Sequence, residues 1–163
     1  MSPPPLKAFD WRDDPMGHIV AVPEVRARFM RFEPSTGAEG RAPGGWHSHE
    51  ESGGVEVFVV LEGAMKFEIG EETIVATAGQ AVVAWPHQKH RASCAGDTPA
   101  IIYLTVTPHR PPTHTYYDAA GNIRPNPRPL GTYTWCGEPA MGIEESSRAS
   151  GARVPPSPPS TGE

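Results

Sequence analysis

The chain has 163 residues, 37% hydrophobic and 20% charged, enough for one well-filled core and too few for two ordinary domains. Fourteen Lys and Arg against nineteen Asp and Glu give a formal net charge of -5, and with no basic stripe to track a phosphate backbone, nucleic acid is not an expected partner. The longest apolar runs, such as 57–61 and 101–104, fall far short of the roughly 20 residues that span a bilayer, and the opening Met1-Ser2-Pro3-Pro4-Pro5 lacks a basic-then-apolar leader pattern, so a soluble cytoplasmic protein without a membrane partner is expected.

Twenty prolines and seventeen glycines interrupt helices and favour short strands joined by turns. Residues 1–24 read as an N-terminal arm with Phe9 and Trp11 as candidate anchors. β-like runs then follow at 25–33, 46–50, 55–62, 64–69, 73–77, 80–86, 90–95 and 100–107, separated by Gly, Pro and Asp. Met65, Phe67 and Ile69 alternate with Ala64, Lys66 and Glu68, the pattern of a strand with one dry and one wet face. About eight strands at this spacing predict an all-β jelly-roll barrel over 25–107. Residues 108–145 are proline-rich but carry Tyr116, Tyr117, Tyr133 and Trp135, which are costly to leave in water, so this segment is expected to pack on the barrel as an irregular arm. Residues 146–163, containing Pro155-Pro156-Ser157-Pro158-Pro159, carry too little apolar surface to order themselves and read as a flexible tail. Cys94 and Cys136 fit neither a disulfide framework nor a CxxC metal pattern; a buried thiol and a loop thiol are expected.

Chemistry concentrates in two strings. In Trp46-His47-Ser48-His49 the two histidines are two apart, so on a strand both imidazoles face the same side and can reach one metal ion. Glu56 lies within Val55-Glu56-Val57-Phe58-Val59-Val60-Leu61, where a desolvated carboxylate costs several kcal/mol unless it is paired, protonated or metal-bound. The second string, Gly79 to His90, ends one strand, turns at Pro86-His87 and begins another with a histidine.

These strings resemble the two motifs of the cupin superfamily, G(x)5HxH(x)3–4E(x)6G and G(x)5PxG(x)2H(x)3N, over about residues 25–107. Glu56(x)6Gly63 matches the end of the first, and Gly79 to His90 keeps the glycine-to-histidine distance of the second. The chain departs from the pattern in several places. Residues 50–55 separate His49 from Glu56, which requires a bulge or turn at Ser52-Gly53-Gly54. Arg41 stands where the first motif opens on glycine, and Trp85, His87 and Cys94 replace the usual proline, glycine and asparagine. The resemblance implies a single cupin barrel with His47, His49, Glu56 and His90 as ligands of one divalent transition metal. Fe, Mn, Ni, Co, Zn and Cu all suit such a set. The bland alternative is a metal-free jelly roll in which the histidines bond one another and Glu56 forms an ion pair. Glu50 and Glu51 are rim carboxylates on this reading, His87 a turn histidine, and His109 and His114 arm histidines with a lid as their functional version.

In regular strands Phe58 and Val60 share the face of Glu56, and Ala92 and Cys94 share that of His90, so they are expected pocket walls. Tyr103 and Trp85 are further pocket candidates; Trp46, Gln88, Lys89 and Arg41 are secondary ones, and Arg91 should point outward. No catalytic residue is assigned. The metal site implies a small-molecule metalloenzyme, with dioxygenase chemistry ahead of isomerase, lyase or decarboxylase chemistry. A non-catalytic ligand cup is the second class. The partners expected are a small-molecule ligand or substrate and, by resemblance to small cupins, a second copy of the chain in a homodimer.

Overall fold

The computed structural model describes residues 7–34 and 45–124. Among these there are eleven strands and no helix. One sheet has the order β1(His18–Val22), β2(Val25–Phe32), β9(Ala100–Thr107), β4(Val55–Glu62), β7(Ala81–Ala84). The other runs β11(Ile123–Arg124), β10(Thr115–Tyr117), β3(His47–Ser48), β8(His90–Cys94), β5(Ala64–Ile69), β6(Glu72–Thr77). All pairings are antiparallel, and the two sheets face each other as a jelly-roll barrel.

The strand alternation decides what fills the barrel. On β4, Glu56, Phe58 and Val60 are buried while Val55, Val57 and Val59 are half-buried on the outer face. On β9, Ile102, Leu104 and Val106 point inward. Met65 and Phe67 of β5 and Ala92 and Cys94 of β8 meet them from the opposite sheet, with the Phe58 and Phe67 rings 4.9 Å apart. β9 sits between β2 and β4 and pairs with both along nearly its whole length, which suits its β-branched run AIIYLTVT. The turn from β4 to β5 depends on Gly63, whose φ is +73° and where a Cβ would lie 2.7 Å from the Pro99 carbonyl oxygen.

Residues 18–22 and 115–117, within stretches the sequence suggests are irregular arms, add strands to the sheets. β1 pairs with β2, and β10 pairs with β3 beside the first histidine. Cys94 is buried and free. Arg41, Tyr133, Trp135, Cys136 and the tail at 146–163 lie outside the described residues. Among the described residues no helix is long and apolar enough to cross a membrane.

Ile102 is fully buried at the centre of β9. Ile102→Ala should therefore cost about 2–5 kcal/mol in denaturant unfolding, whereas Val75→Ala, on the exposed edge strand β6, should stay within about 0.5 kcal/mol. Equal costs would contradict this core assignment.

Candidate metal centre

His47 and His90 are directly opposite each other on β3 and β8. His49 follows β3, where its amide donates to the Pro86 carbonyl at 2.9 Å. The intervening Ser48 faces away, its Oγ 2.9 Å from the Tyr117 hydroxyl on β10. The six-residue segment between His49 and Glu56 is accommodated by a turn. The amides of Gly53 and Gly54 donate to the His49 carbonyl at 2.8 and 3.3 Å, and Gly53 has φ +68°. A Cβ at Gly54 would lie 2.9 Å from the Pro108 carbonyl oxygen, so the close approach there also favours glycine. The chain thus re-enters β4 with Glu56 pointing inward and 3% exposed.

The four side chains converge. Glu56 Oε2 lies 2.7 Å from His90 Nε2, 2.9 Å from His49 Nε2 and 3.4 Å from His47 Nε2. The four donor atoms are all within 4.8 Å of one another, a span close to the separation of about 3–4.4 Å that bonds of 2.0–2.2 Å to a single ion impose.

The second ring nitrogens show what the cluster is built for. Each Nδ1 faces a backbone carbonyl: His47 to Gly45 at 2.9 Å, His49 to Thr113 at 2.6 Å and His90 to Gln88 at 2.8 Å. A carbonyl only accepts, so each Nδ1 carries the hydrogen and donates it, and in the neutral ring Nε2 presents a lone pair. Three lone pairs then face one carboxylate. Without a cation between them, they are compatible only if imidazolium protons are present. The residues therefore fit a divalent transition metal, with the carbonyls serving as the outer contacts that fix tautomer and ring orientation.

In the metal-free cluster the carboxylate and the imidazoles shift one another. Burial pushes the Glu56 carboxyl up, but the contacts from His47, His49 and His90 outweigh it and hold the group well below its usual range. Burial takes His47 below the ordinary imidazole value against the pull of Glu56, while at His90 the carboxylate prevails over burial and raises it.

The cluster opens on a cavity of about 130 Å³ bordered by His47 and Glu56. Phe58, Ala92, Ile102 and Leu104 line it. The other pocket candidates lie elsewhere. Val60 and Cys94 sit one side-chain repeat further along their strands, within the core cluster. Tyr103 has the opposite parity from Ile102 and Leu104 and packs edge-on against Phe29 on the outer face. Trp85 lies beyond the end of β7 and is 55% exposed. Arg91 points outward, making two hydrogen bonds to Glu68 at 2.7 and 2.8 Å and covering the Trp46 ring. Lys89 donates to the Gly121 carbonyl over Tyr117, and the Gln88 side chain accepts from the Trp85 amide. Glu50 and His87 are exposed, and Glu51 accepts from Thr115.

Four polar side chains that sequence reasoning does not place among the pocket walls also line the cavity. His114 stands 5.1 Å from the His47 ring and 4.7 Å from the His49 ring, stacked on Tyr116 at 5.5 Å, and both line the cavity. Their i, i+2 spacing is a signal equal in form to that of His47 and His49. Arg26 and Arg28 line the cavity from β2. His109 is buried beside Arg26, and burial pushes it down to about 3.

If the cluster binds metal, a divalent ion such as Zn(II) at one hundred times its dissociation constant should stabilise the wild-type chain by about 2.7 kcal/mol. His90→Ala should show no such shift in thermal unfolding. A shift of equal size in the variant would place the binding elsewhere.

Residues 28–107 match the family model of the cupin domain. None of the curated proteins matches the chain. Among solved structures, the chain is similar to TT1209 from Thermus thermophilus, with 21% identity, TM-score 0.53, and coverage of 65% of this chain and 100% of that one. It is also similar to a protein with a double-stranded β-helix domain from Klebsiella pneumoniae, with 18% identity, TM-score 0.51, and coverage of 64% of this chain and 91% of that one. A cupin protein from Bacteroides fragilis is 16% identical with TM-score 0.50, over 77% of this chain and 100% of that one. At these identities the structural likenesses speak for the fold. The family match identifies residues 28–107 of this chain as a cupin domain.

Proposed function

We propose that this cupin is a metal-dependent enzyme acting on a small organic molecule, with dioxygenase chemistry as its reaction type. The observation that carries the proposal is the set of three imidazoles whose Nδ1 atoms face backbone carbonyls while their Nε2 atoms converge on Glu56. A bound divalent transition metal would supply a Lewis acid and, where redox-active, electron transfer toward dioxygen. His47, His49, Glu56 and His90 would hold it. Four protein donors leave one or two positions of a five- or six-coordinate ion free, and a site left open in this way suits catalysis better than a purely structural role.

The chain's own residues supply the rest. Phe58, Ile102 and Leu104 give the cavity apolar walls, which favour the carbon body of a substrate and an apolar gas over bulk water. The carbonyl contacts hold the imidazoles in place before any ligand arrives, so little reorganisation is needed on binding. His114 and Tyr116 stand at the cavity beside His47, where they can touch a bound molecule.

An oxygen electrode gives the test. The Fe(II)-loaded protein, challenged with small phenols, enols and thiols, should consume dioxygen in proportion to substrate lost, and His47→Ala should reduce the rate to background. Turnover without oxygen uptake would refute the dioxygenase reading in favour of isomerase, lyase or decarboxylase chemistry. Ligand-induced stabilisation without turnover would mark a binding cup instead.

A further inference from the structure

His114 stands beside the metal cluster without belonging to it. β10 pairs with β3 so that Tyr116 lies opposite His47 and Thr115 opposite Ser48, and the same antiparallel register carries His114 alongside His49, the two rings 4.7 Å apart. The His114 ring is 5.1 Å from that of His47, closer than the 5.4 Å between His47 and His49 themselves. Even so, the ligand atoms that converge within 4.8 Å of one another are those of His47, His49, Glu56 and His90, and no atom of His114 is among them. It flanks the cluster from the β10 side, where it lines the cavity with Tyr116.

The hydrogen bonding of this ring is unlike that of its neighbours. Each of the three cluster imidazoles has its Nδ1 on a backbone carbonyl. His114 makes ring contacts to His47, His49 and Tyr116, and among the described residues neither of its nitrogens has a hydrogen-bond partner. Nor is either nitrogen among the sealed polar atoms left unmatched, so both keep accessible surface on a half-buried ring that borders the cavity. Stacking fixes its orientation: the Tyr116 ring is 5.5 Å away and 13° from parallel, with the Arg124 guanidinium over Tyr116 at 5.5 Å. An imidazole held in this way keeps its hydrogen-bonding capacity for a molecule that enters the cavity. In either protonation state at least one ring nitrogen carries a hydrogen, so the ring can donate to an oxygen.

The apolar lining by Phe58, Ile102 and Leu104 offers a carbon skeleton a surface but no hydrogen bond. His114 adjoins the ligand rings and stays outside the meeting point of their donor atoms, so an oxygen on the cluster and an oxygen on His114 belong to neighbouring positions of one molecule. We propose that His114 is a substrate-binding residue and that the small molecule bound here carries two adjacent oxygen functions, one toward the metal cluster and one accepting from His114. Hydroxyketones, enediols and catechols are of this kind. The assignment deepens the proposed function and rests on it for the metal, but it does not depend on the reaction that follows.

Calorimetric titration of the Zn(II)-loaded full chain with catechol and with phenol, zinc content being measured in parallel, tests the assignment. Zn(II) is redox-inert, so the result is independent of any use of dioxygen. The wild-type protein should bind catechol about tenfold or more tighter than phenol. His114→Phe, which keeps a ring on Tyr116 and removes the N–H, should retain its zinc and lose most of that preference. A purely structural role would not produce this coupling between ligand and substitution. Equal binding of the two probes by the wild type overturns the proposal before any variant is made. A catechol preference that His114→Phe leaves intact also overturns it, since chelation by the metal alone then accounts for the preference. Equal loss of affinity for both probes marks His114 as filler of the cavity wall and overturns it as well. The zinc measurement keeps the two readings apart. Bound zinc with no role for His114 leaves the metal centre standing, whereas a chain that holds no zinc and binds neither probe contradicts both.

Discussion

Three imidazole lone pairs and a carboxylate aimed at one point repel one another, and holding them there is the constraint on which the rest of this structure depends. The backbone supplies the restraint. Carbonyls from Gly45, Gln88 and Thr113 each accept from one Nδ1, so the rings cannot turn their lone pairs away without leaving a buried polar atom unmatched. Those carbonyls come from the segment entering β3, the turn before β8 and the segment before β10. The site is thus tied to three separate stretches of chain.

The two sheets divide the labour. β3 and β8 carry the histidines on one sheet, while β4 brings Glu56 across from the other. Glu56 lies on the same cross-sheet row as Arg26, with Val106 between them. The core below, centred on Phe58, Phe67 and Ile102, is apolar and closely packed, which keeps the polar groups at one end of the barrel.

Much of this is legible in the sequence, for identifiable reasons. β4, β5 and β9 have strong alternation or long β-branched runs bounded by glycine or proline, and their predicted and observed limits coincide. The histidine pair and the isolated carboxylate in an apolar strand point to the metal cluster, and the glycines at 53 and 54 point to the turn that makes it possible. β1 and β10 are less visible because they are short, and β10 pairs with β3, which is distant in sequence. His114 and Tyr116 lie in a proline-rich stretch whose composition suggests an arm, yet the β3 pairing draws that stretch into the sheet. On β2, arginines occupy both parities, Arg26 and Arg28 on one and Arg31 on the other, so alternation alone does not single out the buried pair. Tyr103 illustrates the opposite case: a polar aromatic near the site by sequence, turned to the outer face by the parity of β9.

Metal content tests the central claim most directly. Protein purified without a histidine tag or chelator should carry close to one equivalent of Fe, Mn, Ni, Co, Cu or Zn by mass spectrometry, and the His47→Ala/His90→Ala double variant should carry none. A wild-type chain that stays metal-free after reconstitution, or a double variant that retains the full equivalent, would contradict the account.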